Sequence, residues 1–237
     1  MLYEQLPFVK RQSSMFRLES ALDLELYMQG YNLAALIYKH IPDNTPWISI
    51  EDFGLYIREK YHMQGNQSWG KILYFYSRSG LDSFRKAIEE LEEFINTHSM
   101  SKIQDISIPG CLPENFPIPA DFHELMLQLE KDPLVVGMEC INDFNAFYVG
   151  FAFSSGKTDR GAYQFEHITD PTFCNFYSKD FKEYLSKQLD ISDPYPYYTL
   201  IRFRSLSPKS RTLEALFRLW KAYHPKWREK MSSFPKY

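Results

Sequence analysis

Four prolines, Pro109, Pro113, Pro117 and Pro119, fall within eleven residues, with Gly110 among them. Each proline fixes φ and removes a backbone N–H, so a stretch this dense supports neither a helix interior nor a central strand. The chain has 237 residues, enough for one large domain or two small ones. The proline stretch therefore sets the expected division. Residues 1–99 form a mainly helical module. Residues 100–237 form a second module, across which the segment 106–119 lies extended.

In the first module apolar residues recur at helical spacing. Leu18, Leu22, Leu26 and Met28, then Leu33, Leu36 and Ile37, predict a helix over residues 15–40, broken or kinked at Gly30-Tyr31-Asn32. Phe53, Tyr56, Ile57 and Tyr61 predict a second helix over 50–61. Residues 69–76 are apolar and aromatic, and fit either a buried helix or a strand. The clearest helix covers 81–97. Phe84, Ala87, Ile88, Leu91 and Ile95 make one stripe, and Ser79 or Asp82 is placed to cap its first amides. Its other face carries Arg85, Lys86, Glu89, Glu90, Glu92 and Glu93. The four glutamates read as a solvated face, partly neutralised by Arg85–Glu89 and Lys86–Glu90 at i,i+4. They are also candidate partner-binding residues.

The second module alternates in character. Residues 121–130 and 175–189 read as helices. Residues 134–141 and 144–153 read as strands joined by an Asn142-Asp143 hairpin turn. Residues 162–168 and 198–204 read as further strands. Ser207-Pro208 opens a last helix with Leu213, Leu216, Phe217 and Trp220 on its apolar face, kinked or ended at His224-Pro225. Short connections between neighbouring strands favour antiparallel pairing. The expected fold class is α+β: a helical module followed by a mostly antiparallel sheet with flanking helices.

No catalytic constellation survives inspection. Gly150-Phe151-Ala152-Phe153-Ser154-Ser155-Gly156-Lys157-Thr158 imitates a phosphate-binding loop, but five residues separate its glycines and no helix-forming run follows. Gly150 also falls inside a predicted strand. His123-Glu124 begins like a zinc-binding helix, yet position 127 is Leu and no two histidines have ligand spacing. Cys140 would need a base such as His167 and a carboxylate such as Glu139. In an apolar segment it reads as a small buried hydrophobe. The other cysteines, Cys111 and Cys174, are far from it, which fits reduced thiols rather than a disulfide framework. No catalytic residue, metal or cofactor is expected. An enzyme with an unrecognised site in the second module stays an alternative.

Charge is unevenly spread. Residues 1–99 hold 10 Lys/Arg and 13 Asp/Glu, residues 100–207 hold 9 and 15, and residues 208–237 hold 8 and 2, giving −3, −6 and +6. The basic end, with Lys221, Lys226 and Arg228, is a candidate partner-binding surface, or a helix packed on its own acidic domain. Cations interleaved with Trp220, Tyr223 and Trp227 also fit nucleic acid, although a pI near 6.1 is well below that of typical nucleic-acid binders. Without a signal-peptide pattern or a membrane-length apolar run, the expected location is the cytoplasm.

Several segments carry a resemblance. They are Phe16-Arg17-Leu18-Glu19-Ser20, Met28-Gln29-Gly30-Tyr31-Asn32-Leu33-Ala34, Phe53, Glu59-Lys60-Tyr61, Ser68-Trp69-Gly70-Lys71-Ile72, Phe84 and Leu91-Glu92-Glu93-Phe94. Over residues 15–95 the chain resembles bacterial proteins encoded beside secreted polymorphic toxins, many of which are immunity proteins. The resemblance implies a cytoplasmic role in which the chain binds and neutralises a cognate toxin. The likeness lies in packing positions, not in catalytic groups. A nucleic-acid-binding role for the basic C-terminal helix is the other alternative.

Overall fold

The computed structural model of the chain describes residues 5–38, 46–98, 101–102, 116–154, 157–159, 162–164, 179–191, 199–201 and 211–232. Local sequence sets where its helices start and stop. α1 (Leu6–Phe16) ends at Arg17, whose φ of 55° turns the chain out of the helix. α2 (Ala21–Tyr38) opens on a reciprocal cap. The Ser20 hydroxyl accepts the Asp23 N–H at 3.2 Å, and the Asp23 carboxylate accepts the Glu19 N–H at 2.9 Å. Ser49, Ser68, Ser79 and Asp121 then cap α3 (Ile50–Lys60), α4 (Trp69–Phe75), α5 (Gly80–Thr97) and α6 (Phe122–Lys131). Each accepts the N–H three residues on, satisfying an amide that the helix cannot. α7 (Ile141–Ser154), α8 (Lys179–Leu189) and α9 (Arg211–Ser232) follow.

The chain forms two compact units that interleave along the sequence. One takes residues Met1–Ile118, Val135–Gly137 and Asn145–His167. The other takes Pro119–Leu134, Met138–Phe144 and Ile168–Tyr237. The first residues of α7 thus count in the second unit and the rest in the first. The expected boundary at residue 99 lies outside the described residues.

In the first unit α2 packs against α3, α4 and α5, and its residues from Leu24 to Ala35 are all buried. Gly30 does not break it. A methyl group there would lie 2.0 Å from the carbonyl oxygen of Phe147 on α7, and one on Gly150 of α7 would lie 1.9 Å from that of Tyr27 on α2. The two glycines let the backbones of α2 and α7 touch. Around this crossing Phe16 meets Phe153 edge-on with ring centroids 4.7 Å apart, and Tyr38 meets Phe151 at 5.8 Å.

The second unit is centred on α9, which packs on α6 and α8. Its Trp220 is contacted by Phe122 of α6 and Phe181 of α8, with centroids 6.3 and 5.4 Å away. The Thr212 hydroxyl accepts the N–H of Ile141 at 3.0 Å, one of the first amides of α7. α9 continues past His224-Pro225 to Ser232. Its expected start at Ser207-Pro208 falls outside the described residues.

The α+β expectation is overturned. The described residues are all-α in architecture. Their β structure is two isolated antiparallel ribbons, Pro46–Trp47 (β1) with Ser101–Lys102 (β2), and Lys157–Asp159 (β3) with Ala162–Gln164 (β4), and neither builds a layer. Residues 144–153, expected as a strand, lie in α7, and residues 133–136 form a 3-10 turn. Asn142-Asp143 is not a hairpin turn but the first turn of that helix, where the Asp143 carboxylate accepts the N–H groups of Glu139 and Cys140 at 2.7 and 2.8 Å. Both faces of the run are buried, so no alternation of polar and apolar residues marks it as helix or strand. Residues 199–201, also expected in a strand, are helical. Residues 69–76, left open between helix and strand, form α4 and its cap.

Candidate functional site

The acidic face of α5 is less solvated than its sequence implies. Glu90 is buried, at 7% exposure, and is the centre of a polar network with α3. Lys60 reaches Glu90 Oε2 at 2.7 Å and Glu93 Oε2 at 2.8 Å. The Tyr56 hydroxyl accepts from Lys60 Nζ at 3.0 Å and donates to Glu90 Oε2 at 3.2 Å. The Tyr61 hydroxyl donates to Glu90 Oε1 at 2.7 Å. Burial lowers the pKa of the Lys60 ammonium, but the hydrogen bonds to Glu90, Glu93 and Tyr56 outweigh it and hold it above the ordinary lysine range. Burial pushes the Tyr56 phenol up to about 12, with the nearby carboxylates adding to it. Burial and then the Glu90 hydrogen bond raise the Tyr61 phenol as well. The hydrogen bond from Lys60 holds Glu93 below the usual carboxylate range. A lysine so firmly protonated is no nucleophile or base at neutral pH. The network fixes α3 against α5.

That fixed frame carries an exposed aromatic corner where α4 turns into α5. Of the seven large apolar side chains that are exposed among the described residues, Tyr74, Phe75, Tyr76 and Leu81 fall within eight positions. Phe75 is 77% exposed. Lys71, Tyr74 and Phe75 lie at i, i+3 and i+4 on the outward side of α4, while Trp69, Gly70, Ile72 and Leu73 face inward. Phe75 meets Tyr76 edge-on at 5.3 Å, and Tyr76 meets Tyr61 at 5.0 Å. The Tyr76 hydroxyl reaches the Met63 sulfur at 3.8 Å, and Lys86 Nζ lies 5.0 Å from the centre of the Tyr61 ring. These rings are held by neighbours on three helices.

The residues singled out from sequence are not gathered in one place. Glu90 and Glu93 belong to the Lys60 network, and Glu92 pairs with Lys10 of α1 at 2.7 Å. The expected Lys86–Glu90 pair gives way to Lys60–Glu90, and Lys86 turns instead to the Tyr76 carbonyl, 3.3 Å away. Glu89 is exposed. Lys221 pairs with Glu130 of α6 at 2.8 Å, inside the second unit. Lys226 and Arg228 lie further along α9, where side chains fall outside the description. Burial raises the Cys140 thiol, with Asp143 beside it, and His167 lies outside the described residues. Gly150 is in a helix rather than a strand, at the α2 crossing. Among the described residues no group of three His, Cys, Asp or Glu side chains could hold a metal ion, and no helix is long and apolar enough to cross a membrane. The Tyr74–Tyr76 run stands out as aromatic in the sequence, within a stretch that fits either a buried helix or a strand. No family model matches the chain, and neither do any curated proteins or solved structures.

Proposed function

We propose that the chain is a cytoplasmic partner-binding protein of the immunity type, and that the α4–α5 corner is the surface that meets its cognate toxin. The observation that carries this reading is Phe75, a ring 77% exposed to water and flanked by three further exposed apolar side chains within eight residues. Such side chains cost free energy in water, and aromatic anchors dominate the energetics of protein interfaces. The base of the corner is anchored before binding, because Tyr61 is held through Glu90 and Tyr76 packs on Tyr61. That anchoring lowers the side-chain entropy that Tyr61 and Tyr76 would lose on association. The resemblance of residues 15–95 to proteins encoded beside polymorphic toxins gives the partner its class.

Co-expression with the toxin encoded next to this gene is expected to restore growth, and the purified pair to elute as a 1:1 complex. Undiminished toxicity with both proteins folded and abundant, or the lack of any neighbouring toxin gene, overturns the reading.

A further inference from the structure

We propose that the partner surface received by the α4–α5 corner is acidic; this inference rests on the partner-binding reading. The chain as a whole is net −3, but residues 69–86 hold Lys71, Arg78, Arg85 and Lys86 against Asp82 alone, a local charge of 4 − 1 = +3. The cations surround the exposed rings. Lys71 shares the outward face of α4 with Tyr74 and Phe75, and Arg78 follows in the turn. Arg85 is exposed on α5. Lys86 is held 5.0 and 6.0 Å from the rings of Tyr61 and Tyr76.

The one carboxylate in the stretch is engaged within the fold. Asp82 accepts the Arg78 N–H at 2.9 Å, and its own N–H is accepted by Ser79. It therefore sits at the positive end of α5, where the helix dipole offsets its charge. Further along α5, Glu90 and Glu93 are drawn to Lys60. Of the glutamates further along α5, Glu89 is exposed and Glu90 and Glu93 are paired within the fold, while Lys71, Arg78 and Arg85 stay exposed nearer the rings. An acidic partner would be steered by these cations and then anchored by Phe75 in an apolar recess. Electrostatic complementarity acts mainly on the association rate, and a buried ring mainly on the dissociation rate.

The test uses the full chain and the purified toxin encoded beside it. Association and dissociation are measured at about 50 and about 300 mM salt, between which the screening length shortens by about 2.4-fold. The association rate is expected to fall with salt. Lys71→Glu combined with Arg78→Glu should slow it by about tenfold, and Phe75→Ala should speed dissociation by at least about tenfold. All three sites are exposed, and circular dichroism is used to check that the variants fold. Toxin bound with unchanged rates by the Lys71→Glu/Arg78→Glu variant but released faster by Phe75→Ala overturns the acidic-partner inference while leaving the corner as the toxin surface; unchanged rates in every variant overturn the corner as that surface as well. No toxin binding by the parent chain overturns both. A short oligothymidylate bound by the parent and lost in the same variants would assign the corner to single-stranded nucleic acid, and would overturn the inference too.

Discussion

At the scale of single residues, burial decides which carboxylates matter. Glu90 and Glu93 are three positions apart and share Lys60, yet Glu90 is buried whereas the Glu93 side chain is 54% exposed. Removing Glu90 leaves Lys60, Tyr56 and Tyr61 without their common acceptor. Glu90→Ala is expected to cost about 2–4 kcal/mol, because stranded partners lose their compensation for desolvation. Glu93→Ala should cost under about 1 kcal/mol, as for an exposed ion pair. Urea midpoints of the two variants check this, and equal losses would mean that the network does not distinguish them. Glu25 of α2 gives a pH signature. Burial pushes its carboxyl up to about 7, against hydrogen bonds from Ser68 and the Gly70 N–H and the charge of Lys71. Between its ordinary 4.5 and about 7 the folded chain holds a proton that the unfolded chain releases. The stability linked to Glu25 is therefore full below about 4.5 and is lost as pH rises through 7. Glu25→Gln cannot titrate. Between about pH 5 and about pH 8 the parent should lose about 3 kcal/mol more than this variant. Parallel pH profiles would show that Glu25 titrates like an exposed glutamate.

At the scale of elements, the crossing of α2 and α7 is the most sharply specified contact of the first unit. A methyl at Gly30 or Gly150 would meet a backbone carbonyl oxygen at 2.0 or 1.9 Å, and a carbonyl in a helix cannot turn aside without parting the helices. Gly30→Ala and Gly150→Ala should each destabilise by about 3 kcal/mol or more. Gly54 is the control: a methyl there would meet only side chains at ordinary contact distance, Trp69 at 3.7 Å and Arg58 at 4.0 Å. Gly54→Ala inside α3 should be neutral, or stabilising by up to about 1 kcal/mol through helix propensity. Thermal midpoints rank the three, and a mild Gly30→Ala would mean that the helices are further apart than described. The same contact marks what was legible in the sequence. α5 could be read because its apolar stripe and its Ser79–Asp82 cap are local signals. α7 could not, because its run from Phe144 to Phe153 is apolar on all sides and rich in strand-favouring Phe, Tyr and Val. Its one local clue was Asp143, which caps the helix start although Cys140 at the cap position is a poor acceptor. Gly30 reads as a break and Gly150 as a glycine within a strand because a close helix crossing leaves no local trace. Glu90 looked solvated because Lys60 and Tyr56 lie about thirty positions away. The candidate corner was half visible: Tyr74-Phe75-Tyr76 stood out as aromatic, but only burial separates the outward rings from the core.

At the scale of the whole molecule, the two units borrow from each other's stretch of sequence. The first unit runs to Ile118 and then takes Asn145–His167. Ala146, Phe147, Tyr148, Phe151, Ala152 and Phe153, all from that second segment, are buried. They cover Tyr27, Gly30 and Phe16, which are contributed by α1 and α2. A fragment of residues 1–118 would keep those two helices and lose their cover. Fully burying one Phe is worth about 1.5–3 kcal/mol, and small domains are stable by only about 5–15 kcal/mol. Losing three buried Phe side chains from one helix face therefore removes a large share of what such a unit can spare. The fragment 1–118 is expected to aggregate, or to give a broad, uncooperative melt with dye-binding apolar surface. A fragment of residues 1–167 keeps the whole first unit and is expected to melt more cooperatively. The comparison is made by thermal circular dichroism at equal concentration. A sharp transition for 1–118, matching that of 1–167, would show that α7 is dispensable to the first unit and that the proline stretch alone divides the chain.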